Sequence, residues 1–461
     1  MQLAILVAVV GALAQGESSS DGPVGGAFWR VLLTLGGVLV APLVAALGSE
    51  PLVRGLRTNS PLTLARCERH WPRLQAIAVT CWLAIVAATL YLVEWPRVVR
   101  GNWSLGSLPL VDELFVLLPV VLPLVLFWGV ASRLHTAASR ALAGARGAES
   151  TTPSLAGYVW LQVRQQLGLI LGPPLVVIGV QEVVALSWPD VATQHAWWLY
   201  VPLLAAMLLL MPLVLRRLWP TSPLPAGPLR EQLIAICRQQ HAGVRDVVVW
   251  HTGAHVANAA VAGMFRGLRY VFLTDGLLAR LSPDEVAAVL RHELGHIARR
   301  HLPLRLAVLV LPLVIWLAIS ANLPTDADRV SQTLAGWGCP KAMQLSVVLP
   351  AGLALYVIVV VGQYSRWLEH EADLAACTRP DGTLDSAAAQ CFGRALVKVV
   401  GRSRESRFVR WLHPPLFERL AFLALAVGEP AAAGRFCRRL RVVAWGVFAL
   451  YAWAASAIAA A

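Results

Sequence analysis

The chain has 461 residues, 57% of them hydrophobic and only 14% charged, with a mean hydropathy of +0.63 and a formal net charge of +13. That balance excludes an ordinary soluble protein of two or three domains and predicts a polytopic membrane protein. It also argues against a nucleic-acid partner, because the basic residues form no patch interleaved with aromatics and follow the apolar runs instead.

Residues 1–26 open with the apolar run Met1 to Ala14, which ends in Ala12-Leu13-Ala14 but lacks a basic start. It reads as an atypical leader or a short extra helix. Apolar stretches near 27–48, 76–95, 108–131, 166–188, 196–215, 304–323, 344–364 and 440–460 are each about long enough to cross roughly 30 Å of hydrocarbon as helices. Eight spans are therefore expected, five of them in a membrane region over 27–218. If they alternate with the 49–75 loop inside, the inner loops hold nearly all the Lys and Arg; only Arg97, Arg100, Arg329 and Lys341 fall outside. The seven cysteines form no Cys-x-x-Cys pair, so neither a disulfide framework nor a thiolate metal site is expected. Within these five spans no chemical motif is found. Glu182 is predicted to face protein or water because a carboxylate facing lipid is costly, and His70, His135 and His195 read as interfacial.

The Pro-rich stretch 219–228 reads as a linker into a polar segment. After it, Leu229 to His241 has helical periodicity, Asp246 to His251 and Tyr270 to Thr274 read as strands, and Asn258 to Gly263 reads as a third strand at a sheet edge. Such an edge has free backbone groups, to which an extended peptide could add as a further strand.

Ser282 to His301 carries the densest chemistry. Ser282 is a good N-cap, Pro283 suits the first helical position, and Glu285 completes a capping box. His292 and His296 are four apart, so on a helix both imidazoles project from one face, close enough to share a metal ion. Glu293 lies beside them, where it can serve as a general base. His301, nine residues after His292, is predicted to rotate off that face. Two further spans return the chain to the same side, where Glu369 and Asp373, again four apart, offer an oxygen ligand and a supporting carboxylate. The spacing to Asp373 favours Glu369 over Glu371, and His370 points elsewhere. His255 reads as a solvated loop residue.

With these motifs in order, the chain resembles the integral-membrane gluzincins, the family of HtpX-type heat-shock proteases, CAAX prenyl proteases and related quality-control proteases. The likeness covers about residues 229–427 and rests on Asn258-Ala259, Gly276-Leu277-Leu278, Arg291-His-Glu-Leu-Gly-His296, Ser365-Arg366 with Glu369 and Ala372-Asp373, and His413-Pro414 followed by Arg419. The resemblance implies one Zn2+ per chain, held by His292, His296 and Glu369, with Glu293 as the general base. It implies that Asp373 holds a ligand imidazole, that His413 stabilises the oxyanion with Arg419 bracing it, and that Asn258 and Ala259 align substrate. Arg291 departs from the small residue often found before the first histidine, and eight spans match neither HtpX-type nor prenyl-protease topology.

The expected fold is thus mainly α: a polytopic helical membrane protein with a small α+β zinc-metallopeptidase domain split by a transmembrane hairpin. Its parts are 219–303, the hairpin 304–364, a second peptidase part 365–436 and a C-terminal span 437–461. The expected function is a membrane metalloendopeptidase acting on peptide or membrane-protein substrates, in a bacterial inner membrane with the site facing the cytoplasm. Two alternatives are a processing protease for lipidated C-termini and a non-catalytic scaffold with a structural metal.

Overall fold

In this computed structural model the chain is described apart from residues 1, 15–22, 58–60, 104, 106–108, 147–153, 195, 254–255, 323–351, 354, 380, 401–410 and 461. Two compact units divide near residue 207. The first contains α1 (Gln2–Ala14), α2 (Ala27–Arg57), α3 (Pro61–Tyr91), α4 (Val111–Val116), α5 (Leu118–Arg146) and the long helix α6 (Leu155–Ser187), which includes one π turn. The span expected at 108–131 is divided: α4 is a short separate helix, and the membrane-length helix begins only at Leu118. Ile5, Val9 and Ala12 on one face of α1 are fully buried in a core with Trp82, Trp95 and Trp128. Trp82 and Trp95 donate their indole N–H groups to the carbonyls of Val120 and Phe115, which satisfies the one polar atom each buries. Polar side chains are also paired inside the unit. Arg100 bridges Asp112 at 2.7 Å and Glu113 at 2.9 Å, and Glu182 accepts the Leu110 N–H at 2.7 Å, so Glu182 faces protein as expected.

The second unit begins within α7 (Ala196–Leu218). A four-stranded sheet follows, with β1 (Thr221–Pro223), β2 (Val244–Trp250), β3 (Ala259–Ala262) and β4 (Arg269–Thr274) in the order β1-β2-β4-β3. Strands β2 and β4 are parallel, while β1 and β3 pair antiparallel on the outside. The stretch expected as a linker therefore contributes a strand. Pro223 is tolerated because β1 lies at the edge, where a missing N–H breaks no inner ladder bond. Alternation along β2 and β4 sends Val247, Val249, Val271 and Leu273 to one core and Val248, Tyr270 and Phe272 to the other face, against Trp219 and Leu213.

The first of those cores is completed by α8 (Pro228–Gln239) and α9 (Pro283–Ala298). α10 (His301–Asn322) leads toward the hairpin; the loop after it, and the first part of the span expected at 344–364, fall outside the described residues, as do His195 and His255. The chain resumes in a π turn at Val357–Val361 that runs into α11 (Gly362–Cys377), followed by α12 (Ser386–Val400), α13 (Leu416–Gly428) and α14 (Pro430–Ala460). α14 starts before the predicted 437 because nothing in Pro430 to Phe436 stops a helix once Pro430 occupies its first position. Seven described helices are long and apolar enough to cross a membrane. Large apolar side chains on them point outward, with Leu47 at 75% and Trp445 at 74% exposure, as lipid-facing residues do. The chain is an integral membrane protein. α10, α11 and α14 share one core of Val308, Leu311, Tyr364, Leu368 and Leu440, and Tyr356 and Tyr451 donate to the carbonyls of Val308 and Ala307. The start of α11 is thereby anchored to the membrane helices and its far end to the sheet's core.

Candidate active site

Ser282 caps α9 as the sequence predicts: its side chain accepts from the Glu285 N–H, and Glu285 accepts from the Ser282 N–H at 2.9 Å. Lys398 of α12 holds both Glu285 oxygens at 2.7 Å, which ties the start of the helix to the core. The far half of α9 lies against α11 at very close range. A Cβ on Gly295 would stand 2.7 Å from the Ala375 Cβ, so glycine is what lets the two helices that carry the chemistry approach. Gly295→Ala is expected to destabilise the chain by roughly 1–3 kcal/mol through overpacking. Thermal unfolding of Gly295→Ala with Ala375→Gly should recover most of the loss; no recovery would refute the contact as its cause.

That approach brings the predicted residues together. The His292 and His296 Nε2 atoms are 3.3 Å apart, and Glu369 lies 3.6 Å from the first through Oε2 and 3.5 Å from the second through Oε1. One ligand atom from each of the three residues falls within 4.8 Å of the others. Behind His292, Asp373 places Oδ1 3.0 Å from Nδ1, while Arg419 makes a two-pronged pair with Asp373, one arm at 2.9 Å. Phe392 stacks on the His292 ring, its centroid 5.3 Å away, and Arg419 lies over the same Phe392 ring. Glu293 half-buries its carboxyl in the cleft beside these groups.

Electrostatics follow from burial and from these partners. Burial lifts the Glu293 carboxyl to about 7, with Glu369 adding to the rise and His292 opposing it. Asp373 goes the other way: burial alone would raise it, but the Arg419 guanidinium and the His292 contact hold it at about 2. Glu369 is likewise held well below its ordinary value despite burial, by the imidazoles of His292 and His413.

Three placements differ from the sequence reading or were absent from it. His413 stands at the cleft mouth with Nδ1 3.0 Å from Glu369 Oε2. Arg305, to which the sequence assigns no role, reaches back from the start of α10 to donate to Glu369 Oε1 at 2.8 Å. His301 does not rotate away. The predicted rotation needs one continuous helix, but α9 ends at Ala298, Arg300 adopts a left-handed conformation (φ 56°), and α10 starts afresh at His301. His301 is thereby set behind His296, Nδ1 to Nδ1 at 2.7 Å, and its Nε2 is 3.0 Å from Glu371. No sequence signal marks this break, because the left-handed residue is an arginine and not the glycine that usually ends a helix.

A cleft of about 1180 Å³ runs over the cluster, lined by Asn258, Ala259 and Val261 on one side and by His413 and Pro414 on the other. Asn258 leads directly into β3, the edge strand nearest this cleft, and is locked to Thr274 by main-chain and hydroxyl bonds. Among the described residues, the outer ladder positions of β3 have no strand partner.

Fold and site together define a polytopic helical membrane protein whose second unit carries a His-Glu-x-x-His helix completed by a carboxylate from a later helix. Residues 223–426 match the model of peptidase family M48. It is 31% identical over 152 residues to the CAAX prenyl protease 1 homolog of Oryza sativa subsp. japonica, a stretch of 31% of this chain and 35% of that one. To the protease HtpX of Chromohalobacter salexigens it is 31% identical over 137 residues, 29% of this chain and 46% of that one. The chain thus matches between about a third and a half of the length of these relatives. A crystal structure of S. mikatae Ste24p aligns with 87% of this chain and 100% of its own at 15% identity and a TM-score of 0.44.

Proposed function

We propose that the chain is a zinc-dependent membrane endopeptidase that cleaves peptide or membrane-protein substrates, with its site on the cytoplasmic face. The observation that carries this reading is the facing pair of Nε2 atoms at 3.3 Å, with a carboxylate on the same point. Asp373 Oδ1 lies 3.0 Å from His292 Nδ1, a placement that suits a ring proton on Nδ1 and leaves the lone pair of the neutral ring on Nε2, toward its neighbour. Two imidazoles and a carboxylate converging in this way suit a divalent cation of zinc's ligand preference and leave room for a fourth ligand. When bound, zinc supplies Lewis-acid polarisation and brings the pKa of water toward about 7.

The chain's own residues do the rest. Glu293 takes the proton of the attacking water and delivers it to the leaving amine; its carboxyl, lifted to about 7, is matched to that exchange near neutral pH. His413, at the cleft mouth, donates to the developing oxyanion. Substrate adds to the free edge of β3 as an extended strand, passing Asn258 and Ala259. Among the described residues three ligands converge, and not four, which disfavours a merely structural metal. The cytoplasmic placement rests on the Arg residues at the span ends, among them Arg216, Arg217, Arg438 and Arg439. The test is hydrolysis of an unfolded membrane protein by the purified chain in liposomes. Activity should vanish on chelation and return with zinc; activity that survives full metal removal would refute the reading. Cleavage in that assay confined to farnesylated peptides would favour processing of lipidated C-termini, the chemistry named for the rice relative.

A further inference from the structure

The two histidines of the cluster are supported from behind in different ways. His292 has a carboxylate directly behind it. Behind His296 stands a second imidazole, and only behind that a carboxylate: His296 Nδ1 to His301 Nδ1 is 2.7 Å, and His301 Nε2 to Glu371 Oε2 is 3.0 Å. Glu371 is in turn held by Arg299, 3.3 Å from its other oxygen. His301 is only 1% exposed, so water does not compete for either of its nitrogens.

The direction of every proton in this chain follows from its last member. An ionised carboxylate accepts and cannot donate, so His301 Nε2 carries the hydrogen. The Nδ1 of that neutral ring must then accept, and His296 Nδ1 must donate to it. What remains on His296 is a lone pair at Nε2, aimed at the point shared with His292 and Glu369. Reversing any one link would put a hydrogen on His296 Nε2 and remove it as a ligand. On an unbroken helix His301 would sit about 140° around the axis from His296 and could not do this. The left-handed turn at Arg300 brings it into place, at a cost on the order of 1 kcal/mol or more for a residue other than glycine.

From this geometry we infer that His301 and Glu371 are positioning residues for the metal centre, a two-member relay that sets the tautomer and orientation of His296. The inference rests on the zinc reading above. It makes the three alternate residues Glu369, Glu371 and Asp373 of α11 a single device: one meets the metal, and the other two hold the two imidazoles, Glu371 through His301 and Asp373 directly.

The test is zinc affinity by chelator competition on the full purified chain, with thermal unfolding of the zinc-free protein as the control for folding. His301→Phe keeps a planar aromatic ring but offers neither acceptor nor donor, and should weaken zinc binding about 10–100-fold. His301→Asn supplies both an acceptor and a donor and should recover most of that loss. Glu371→Gln is isosteric, removes the charge that dictates the proton direction, and should weaken zinc binding at least about threefold. Wild-type affinity in Glu371→Gln, or an equal loss in His301→Asn and His301→Phe, overturns the relay while leaving the metal site standing. If His301→Phe does not fold, Glu371→Gln alone decides. A wild-type chain that binds no zinc overturns the proposed function and the relay with it.

Discussion

Replacing Glu293 by glutamine is expected to lower kcat by about 10²–10⁴ while zinc content stays at one per chain. The amide keeps the shape of the side chain but cannot accept the proton of the attacking water, and neither imidazole depends on it for orientation. Single-turnover hydrolysis with metal analysis of the same sample checks this. Wild-type turnover in a metal-loaded Glu293→Gln chain would remove Glu293 from the mechanism. The same carboxyl predicts the acid side of the pH profile. The base must be ionised to work, so kcat/KM falls as pH drops through its pKa. Burial lifts that value to about 7, and a bound cation draws it down, so the acid limb should lie at or below about pH 7.

The largest stability effect is expected from Arg419→Met. Asp373 is completely buried, and the Arg419 guanidinium that meets both its oxygens is only 8% exposed. Removing the cation leaves a carboxylate in the interior with one imidazole for company, which should cost about 3–5 kcal/mol. A loss below about 1 kcal/mol, read from urea unfolding followed by tryptophan fluorescence, would show the pair to be dispensable. The pH dependence has a definite sign. Since the folded-state value of Asp373 is depressed to about 2, the stability it contributes is complete above its unfolded value of about 4 and is lost as pH falls toward 2. Arg419→Met should abolish that portion of the acid transition. It should also weaken zinc binding, because Asp373 then no longer fixes the His292 ring.

Much of the site is legible in the chain itself because helices and strands impose short periods. A four-residue spacing is one helical turn, so His292 with His296 and Glu369 with Asp373 each announce a shared face, and a capping box marks where the first of those helices starts. Alternation identifies β2 and β4, and the short apolar run after Asn258 identifies the edge strand. β1 is missed because its composition is that of a loop; it becomes a strand only because β2 offers it a free ladder. Arg305 and His301 are missed for a related reason. Each reaches the site from a new helix whose phase is set by Arg300, and no local propensity encodes a left-handed arginine.

What the sequence determined by itself was which residues could do chemistry: two imidazoles on one helical face, a carboxylate beside them, and a second pair of carboxylates on another. What only the tertiary structure decided was which groups stand behind them. The close packing at Gly295 puts Asp373 behind His292, and the helix break at Arg300 puts His301 and Glu371 behind His296. The reason is physical: spacing within a helix is fixed by backbone geometry, whereas the partner behind a side chain depends on the packing of separate helices and the turn between them.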